Sequence, residues 1–381
     1  MLSAMLREGT TMDLSCLRQL DDPAKEQLYR EFWAGSRPGT VLVNASRRVS
    51  DPRKVAAPDG GRTGDPFGDH LASECARLLE RDWASDDAVA SPMVPIGPTG
   101  TIATAFGATY DPAYDWTSQC LKTPEAIRDL EPPRLGAGLT GRYLEGVRYL
   151  AGAIGDALPV CYAQCMQGPF STCAMILDDQ VLLEAMYTHP DEIHLLLGMV
   201  TDFIIDFARE ARRLLPRPVP TSFSDVYFPD GQGICVCDDL AAVVSPWLYR
   251  DFVLPHMNRI SDAFGGVLLH ACGNPAAVLP VWADIRCFLG FDIGVTEADL
   301  PEVLRWSLGS AVVVCHVGLN SAPHFCSRLA AVEAILQHVT PESSVLINAS
   351  SFAANLPTVA PDEWDAESAQ IVERVRAHSR L

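Results

Sequence analysis

The sequence predicts a (β/α)8 TIM barrel of the α/β class, with a helical and loop extension at its N-terminus. Three observations carry this. From about residue 155 onward, short apolar segments alternate with helical patterns at a period of roughly 20–35 residues, as in βαβ units. The apolar segments are continuous rather than alternating, which suits parallel strands buried on both faces. Polar residues stand where those segments end: Asn44, Asp238, Cys272, Asp292, His316 and Ser350. The C-terminal ends of the strands are where a barrel places its chemistry.

Residues 1–38 read as a helical lead-in, and Thr40–Asn44 as the first strand. Residues 49–70, rich in Asp, Gly, Pro and Arg, read as a long loop. The later strand candidates are Leu158–Ala163, Val219–Phe223, Gly233–Cys237, Val267–His270, Phe288–Ile293, Ala311–Cys315 and Ser344–Asn348. Between them, Thr188 is the expected N-cap of a helix with Asp191 three residues on. Ile193, Leu196, Leu197, Val200, Phe203, Ile204 and Phe207 then recur at helical spacing, and the helix should stop before Pro216. Ser245-Pro246 marks a second start, with Pro at the first helical position. That helix should run to Gly265-Gly266 with a kink at Pro255. Leu300–Leu308, Ser327–Val339 and Trp364–His378 supply three more. Residues 1–80 thus form the extension with the first strand, and residues 81–381 the rest of one catalytic barrel.

The chain has 381 residues, 48% of them hydrophobic and 20% charged, an ordinary soluble composition. Its 29 basic and 48 acidic residues give a net charge of −19, which argues against nucleic acid or an anionic membrane as a general partner. Arg7, Glu8, Asp13 and Arg18 interrupt the first twenty residues, so a signal peptide is not expected, nor is a membrane span. The expected compartment is the cytoplasm, where the 12 cysteines would be reduced thiols.

The most informative stretch is His270-Ala-Cys-Gly273. On a strand, residues two apart project to one side, so His270 and Cys272 would emerge together from its end. Imidazole and thiolate side by side are good zinc donors. The alternative is a buried Cys beside a polar strand-end His. Gly136-Ala-Gly-Leu-Thr-Gly141 matches the dinucleotide fingerprint literally but follows no convincing strand, so it reads as a loop.

Three blocks carry a resemblance to the uroporphyrinogen decarboxylase superfamily. They are Gln167-Gly-Pro-Phe-Ser171, the stretch from Gly233 through Asp238, Ser245-Pro246 and Tyr249 to Pro255, and His270-Ala-Cys-Gly-Asn274. The last resembles the His-x-Cys-Gly of the methyltransferase branch. The resemblance implies a barrel and two candidate chemistries. The decarboxylases of the family carry an Arg-rich signature on the first strand, which Leu42–Arg48 does not reproduce, although Arg47 could serve a similar purpose. The methyltransferases use zinc to activate a small thiol, holding it with His-x-Cys and a distal Cys. Here the distal region, Leu346–Phe352, has no Cys. Cys237 is the preferred third metal ligand beside His270 and Cys272, with Cys315, His316 and Asp292 as further options; packing is the alternative role for Cys237.

By the same resemblance Asp238 is a candidate general acid or substrate anchor, with a helix-capping or solvated Asp as the alternative, and Tyr227 is a weaker catalytic candidate. Asn44, Arg47, Gln167, Asp225 and His316 are candidate substrate-binding residues. The implied cofactors are zinc and a corrinoid on a partner protein. The candidate partners are a small-molecule substrate, that corrinoid protein and a second copy of the chain. The leading expectation is a metal-dependent one-carbon transferase acting on a small thiol. A metal-free decarboxylase or lyase of a small carboxylic acid, and a non-catalytic corrinoid- or metal-binding protein, are the alternatives.

Overall fold

The computed structural model describes residues 15–35, 39–47, 65–95, 97, 99–112, 116–163, 166–221, 226–309, 311–317, 325–349 and 360–379. The helical lead-in is a 3-10 turn, Ser15–Leu20, followed by α1, Pro23–Trp33. The α1 start follows from Asp22, whose carboxylate accepts from the amides of Ala24 and Lys25, and from Pro23 at the first position. The strands are β1 (Val41–Asn44), a small hairpin of β2 (Thr109–Asp111) and β3 (Trp116–Ser118), β4 (Val160–Cys161), β5 (Pro218–Val219), β6 (Ile234–Cys237), β7 (Val267–His270), β8 (Phe288–Gly294), β9 (Val312–His316) and β10 (Val345–Asn348).

Six of them form a parallel sheet in the order β1-β10-β9-β8-β7-β6. The wall continues from β6 to the parallel pair β5 and β4 through the Cys235 amide on the Pro220 carbonyl (2.9 Å) and a bridge between Gln167 and Cys237. It returns to β1 through residues 87–94, where Met93 bridges Cys161 and the Asp87 amide donates to Val43 (2.9 Å). The sheet is therefore closed into a barrel. That last stave, interrupted by Pro92, has no counterpart among the expected strands, and of the Val219–Phe223 candidate the described residues, through Thr221, show a strand at Pro218–Val219.

Alternation along each strand divides the apolar residues into two sets. Val43, Val236, Leu269, Phe291, Val313 and Ile347 pack outward under the helices. Leu42, Cys161, Val219, Cys235, Leu268, Val312, Val314 and Leu346 face the lumen, where they meet Tyr29, Phe32 and Trp33 of α1 and Val226, Tyr227 and Phe228. The lead-in helix thus plugs the barrel. Its Trp33 indole donates to the Tyr227 carbonyl (2.9 Å), and the Tyr227 hydroxyl donates to Glu26 (2.7 Å).

Several expected boundaries move. A helix already begins at Pro66, inside the expected 49–70 loop, because Asp65 caps the Phe67 amide. Thr188 is the last residue of the helix Asp179–Thr188, and His189 is the N-cap of the next, Pro190–Leu214. Pro190 cannot donate into the preceding helix and so separates the two. After Ser245, the helix Pro246–Leu248 passes through a π-turn at Tyr249–Val253 before resuming as Leu254–Phe264. The wide turn sits where the Pro255 ring would crowd the carbonyl four residues earlier, so the expected kink is taken up there. Leu300–Leu308 divides into an α segment, Leu300–Leu304, and a 3-10 turn. Gly138 is the N-cap of the helix Leu139–Ile154, with no strand feeding it. Among the described residues no disulfide forms, and no helix is long and apolar enough to cross a membrane.

Candidate metal centre

On four of the strands the last lumen-facing position is polar where the one below it is apolar. Leu42 is followed on its face by Asn44, Leu268 by His270, Val314 by His316 and Leu346 by Asn348. Register brings these ends to one rim: His270 lies opposite Asp292, His316 opposite Asn348, and Asn348 opposite Asn44. The face of β8 that carries Asp292 has glycine on either side, Gly290 and Gly294. At Gly290 a Cβ would lie 2.0 Å from the Val312 carbonyl oxygen, so only glycine fits.

At this rim Asp239, His270 and Cys272 place a carboxylate oxygen, a ring nitrogen and a sulfur all within 4.8 Å of one another. His270 Nε2 is 3.4 Å from Cys272 Sγ and 3.9 Å from Asp239 Oδ1. Asp239 opens the 3-10 turn that leaves β6, and its Oδ1 also accepts the Cys272 amide (2.7 Å). The two loops are thereby tied together. The Gly273 amide donates to Glu297 Oε2 (2.9 Å), holding the turn from the other side. Gly273 has φ +91°, a conformation that favours glycine. His270 is buried, Asp239 is half-buried and Cys272 is exposed, so the cluster opens to solvent on the sulfur side.

Behind His270, its Nδ1 is hydrogen-bonded to Asp292 Oδ1. Asp292 Oδ2 lies 3.5 Å from His316 Nε2, and the Asn348 amide donates to His316 Nδ1 (3.1 Å). Burial alone would push the His270 pKa down, but the Asp292 carboxylate outweighs it and holds the imidazole well above its usual range. Burial would likewise raise Asp292; the imidazoles of His270 and His316 prevail and bring it to about 2.

The other expected site residues fall in four places. Cys237 is buried on β6, in register with His270, and is not part of the three-donor cluster; Asp239, two residues on, is. Asp238 faces outward. It is fully buried, accepting from Ser171 Oγ (3.2 Å) and the Tyr249 hydroxyl (2.6 Å). Burial raises its pKa to about 7 against the opposing pull of those two donors. Tyr227 belongs to the plug. Arg47 pairs with Asp82 (3.2 Å) and lines an outer groove of about 530 Å³ beside Arg376 and Glu373 of the last helix, Pro361–His378. Gln167 bridges β6 at Cys237, and Asn44 accepts from the Tyr29 hydroxyl (3.1 Å) at the base of the rim. Asp225 and Ser350 lie outside the described residues. Sequence reasoning passed over Asp239 and Asn348 as functional residues. The only signals for them were the doubled Asp after β6 and an Asn at the end of an apolar strand.

A closed parallel barrel with a donor cluster at the C-terminal ends of its strands defines the class of protein. The family model described as Uroporphyrinogen decarboxylase (URO-D) matches residues 100–213 and 226–315, and the chain belongs to this family. The second block contains Asp239, His270, Cys272 and Asp292. A uroporphyrinogen decarboxylase from Nocardia farcinica is 31% identical over 164 residues, which is 38% of this chain and 41% of that protein. The match thus spans less than half of the relative's length. A methyltransferase from Methanosarcina mazei superposes with a TM-score of 0.60 over 94% of this chain and 99% of that one, at 16% identity. At that identity the likeness speaks for the fold.

Proposed function

We propose that this protein transfers a methyl or other one-carbon group to or from a small thiol, using a zinc ion held by Asp239, His270 and Cys272. The observation that carries the reading is the convergence of one oxygen, one nitrogen and one sulfur donor within 4.8 Å at the barrel rim. Three protein ligands with an open fourth position are the pattern of catalytic rather than structural zinc. The donor types fit, and the exposed side of Cys272 leaves room for an incoming thiol. Zinc bound there would lower the pKa of a coordinated thiol and so supply a thiolate near neutral pH. The protein's own contribution is orientation. Asp292 accepts the Nδ1 proton of His270, which aims Nε2 at the cluster, where the ion would displace the second proton. Asp239 serves twice, as donor to the ion and as acceptor of the Cys272 amide. The methyl donor this reading calls for is a corrinoid on a partner protein.

Two other chemistries fit less well. A metal-free decarboxylase built on Asp238 would need that carboxyl to reach substrate, whereas it is enclosed by Ser171 and Tyr249. Cys272, His270 and Asp292 also stand in the order of a nucleophilic triad. Acyl transfer would need amides to stabilise an oxyanion, and those of Cys272 and Gly273 are committed to Asp239 and Glu297.

The test is the metal content of purified protein and of Asp239→Ala, His270→Ala and Cys272→Ala. About one zinc per chain is expected, lost in each variant, together with methylation of a thiol such as homocysteine or a thiol sulfonate. A folded wild type that takes up no zinc would sink the reading.

A further inference from the structure

The polar rim extends past the donor cluster in one direction. One carboxylate oxygen of Asp292 is hydrogen-bonded to His270 Nδ1, and the other lies 3.5 Å from His316 Nε2, close enough for charge attraction but not in hydrogen-bond geometry. The Asn348 amide then donates to His316 Nδ1 at 3.1 Å, which leaves the proton of a neutral His316 on Nε2, facing Asp292. All three residues are buried, with Asp292 and His316 0% exposed. They come from three adjacent strands, β8, β9 and β10, and their order along the rim is set by strand register. A buried carboxylate between two imidazoles has few ways to turn. The hydrogen bond to His270 and the close His316 ring both restrict its plane, and through it the ring plane of His270.

We propose that His316 and Asn348 are positioning residues for the candidate metal centre. Together they orient Asp292, and through it they hold His270 with its Nδ1 proton directed at Asp292 and its Nε2 aimed at Asp239 and Cys272. The proposal rests on the metal reading above and extends it to two buried residues behind the donors: His316, whose ring meets that of His270 edge-on with centroids 6.4 Å apart, and Asn348 beyond it. It assigns His316 no direct contact with the ion, in place of its expected role in binding substrate.

The experiment combines zinc affinity by chelator competition with the Nδ1 proton of His270 in 15N-histidine-labelled protein. That signal is assigned by its loss in His270→Asn. Asp292→Asn should weaken zinc binding by about 10- to 100-fold, the usual effect of removing the group that orients a metal-bound histidine. His316→Leu and Asn348→Leu should move affinity in the same direction by less, and should shift the His270 Nδ1 proton or speed its exchange. His316→Gln, whose amide can still donate to Asp292, should recover most of both. A His316→Leu protein that is folded by circular dichroism, with wild-type zinc affinity and an unmoved proton, overturns the proposal. If the wild type takes up no zinc, the metal reading fails by itself. The proton then still decides the positioning claim: shifted in His316→Leu it stands, unshifted it falls. If His316→Leu does not fold, His316→Gln and Asn348→Leu carry the same two readouts.

Discussion

The two ends of the barrel lumen are built from the same strands, one pleat apart, and do opposite work. At the lower level Leu42, Leu268, Val314 and Leu346 close on Tyr29, Phe32, Trp33, Tyr227 and Phe228. At the upper level Asn44, His270, His316 and Asn348 meet Asp292, Asp239 and Cys272. Below, apolar area is removed from water and each side chain contributes stability. Above, the buried polar groups behind the open sulfur side stay affordable only by pairing with one another. Two residues along a strand are enough to pass from one regime to the other, because the pleat returns every second side chain to the same face.

The comparison breaks most visibly at the rim. Cys272→Ala is expected to abolish zinc uptake and thiol methylation while leaving the unfolding midpoint of the metal-free protein nearly unchanged, because its side chain is exposed and packs little; metal analysis, and a denaturant melt of both proteins stripped of metal so that bound zinc adds no stability of its own, check both halves. At the plug the pattern should invert. Trp33→Ala is expected to cost about 3–5 kcal/mol, by loss of a buried aromatic and of its hydrogen bond to Tyr227. Zinc stoichiometry of the folded fraction should not change. A variant that lost metal and also lost stability in the metal-free state would show that the two levels are not separable.

Asp238 sharpens the boundary. Its folded pKa, about 7, is raised above the unfolded value. Its contribution to stability is therefore full below about pH 4 and is lost as pH rises through about 7, on the order of a few kcal/mol. Asp238→Asn should flatten that part of the stability profile, as read by denaturant unfolding across pH 4–8. Were Asp238 the acid of the reaction, the same variant would instead abolish turnover. The smallest expected effect is that of Tyr227→Phe. It removes one hydrogen bond to Glu26, costing about 1–3 kcal/mol, and should leave thiol methylation intact. A large loss of turnover there would restore Tyr227 to the catalytic role the family resemblance suggested.

Much of the rim was legible because it is local. His270 and Cys272 are two apart on one strand end, and period-two geometry is enough to bring them together. Runs such as Val267–His270 and Val312–His316 announced themselves as buried strands by composition. What escaped depends on register between distant segments. Cys237 is the sequence neighbour that looked like a third donor, yet the chain turns after it, and the half-buried Asp239 reaches the cluster instead. Asp292 stood among the ligand options, but pairing between β7 and β8 puts its carboxylate behind the ring of His270 rather than beside the sulfur. Tyr227 read as a pocket residue because the segment after β5 has no periodicity to say that it lies in the plug. The stave at 87–94 was missed since its Pro92 and few ladder bonds leave almost no strand signature.

The helix that plugs the barrel leaves the ribosome long before the residues it packs against. Trp33 waits for Tyr227, 194 residues on; Glu26 waits for Arg217 and Tyr227, 191 and 201 residues on. Until more than half the chain has emerged, α1 has nothing to close, and its Tyr29, Phe32 and Trp33 remain without their packing partners. Contacts of such sequence separation slow folding and lengthen the exposure of apolar surface. Newly made protein is thus expected to depend on chaperone protection through most of its synthesis, and a shortened chain lacking the first 35 residues to aggregate rather than to persist as an open barrel.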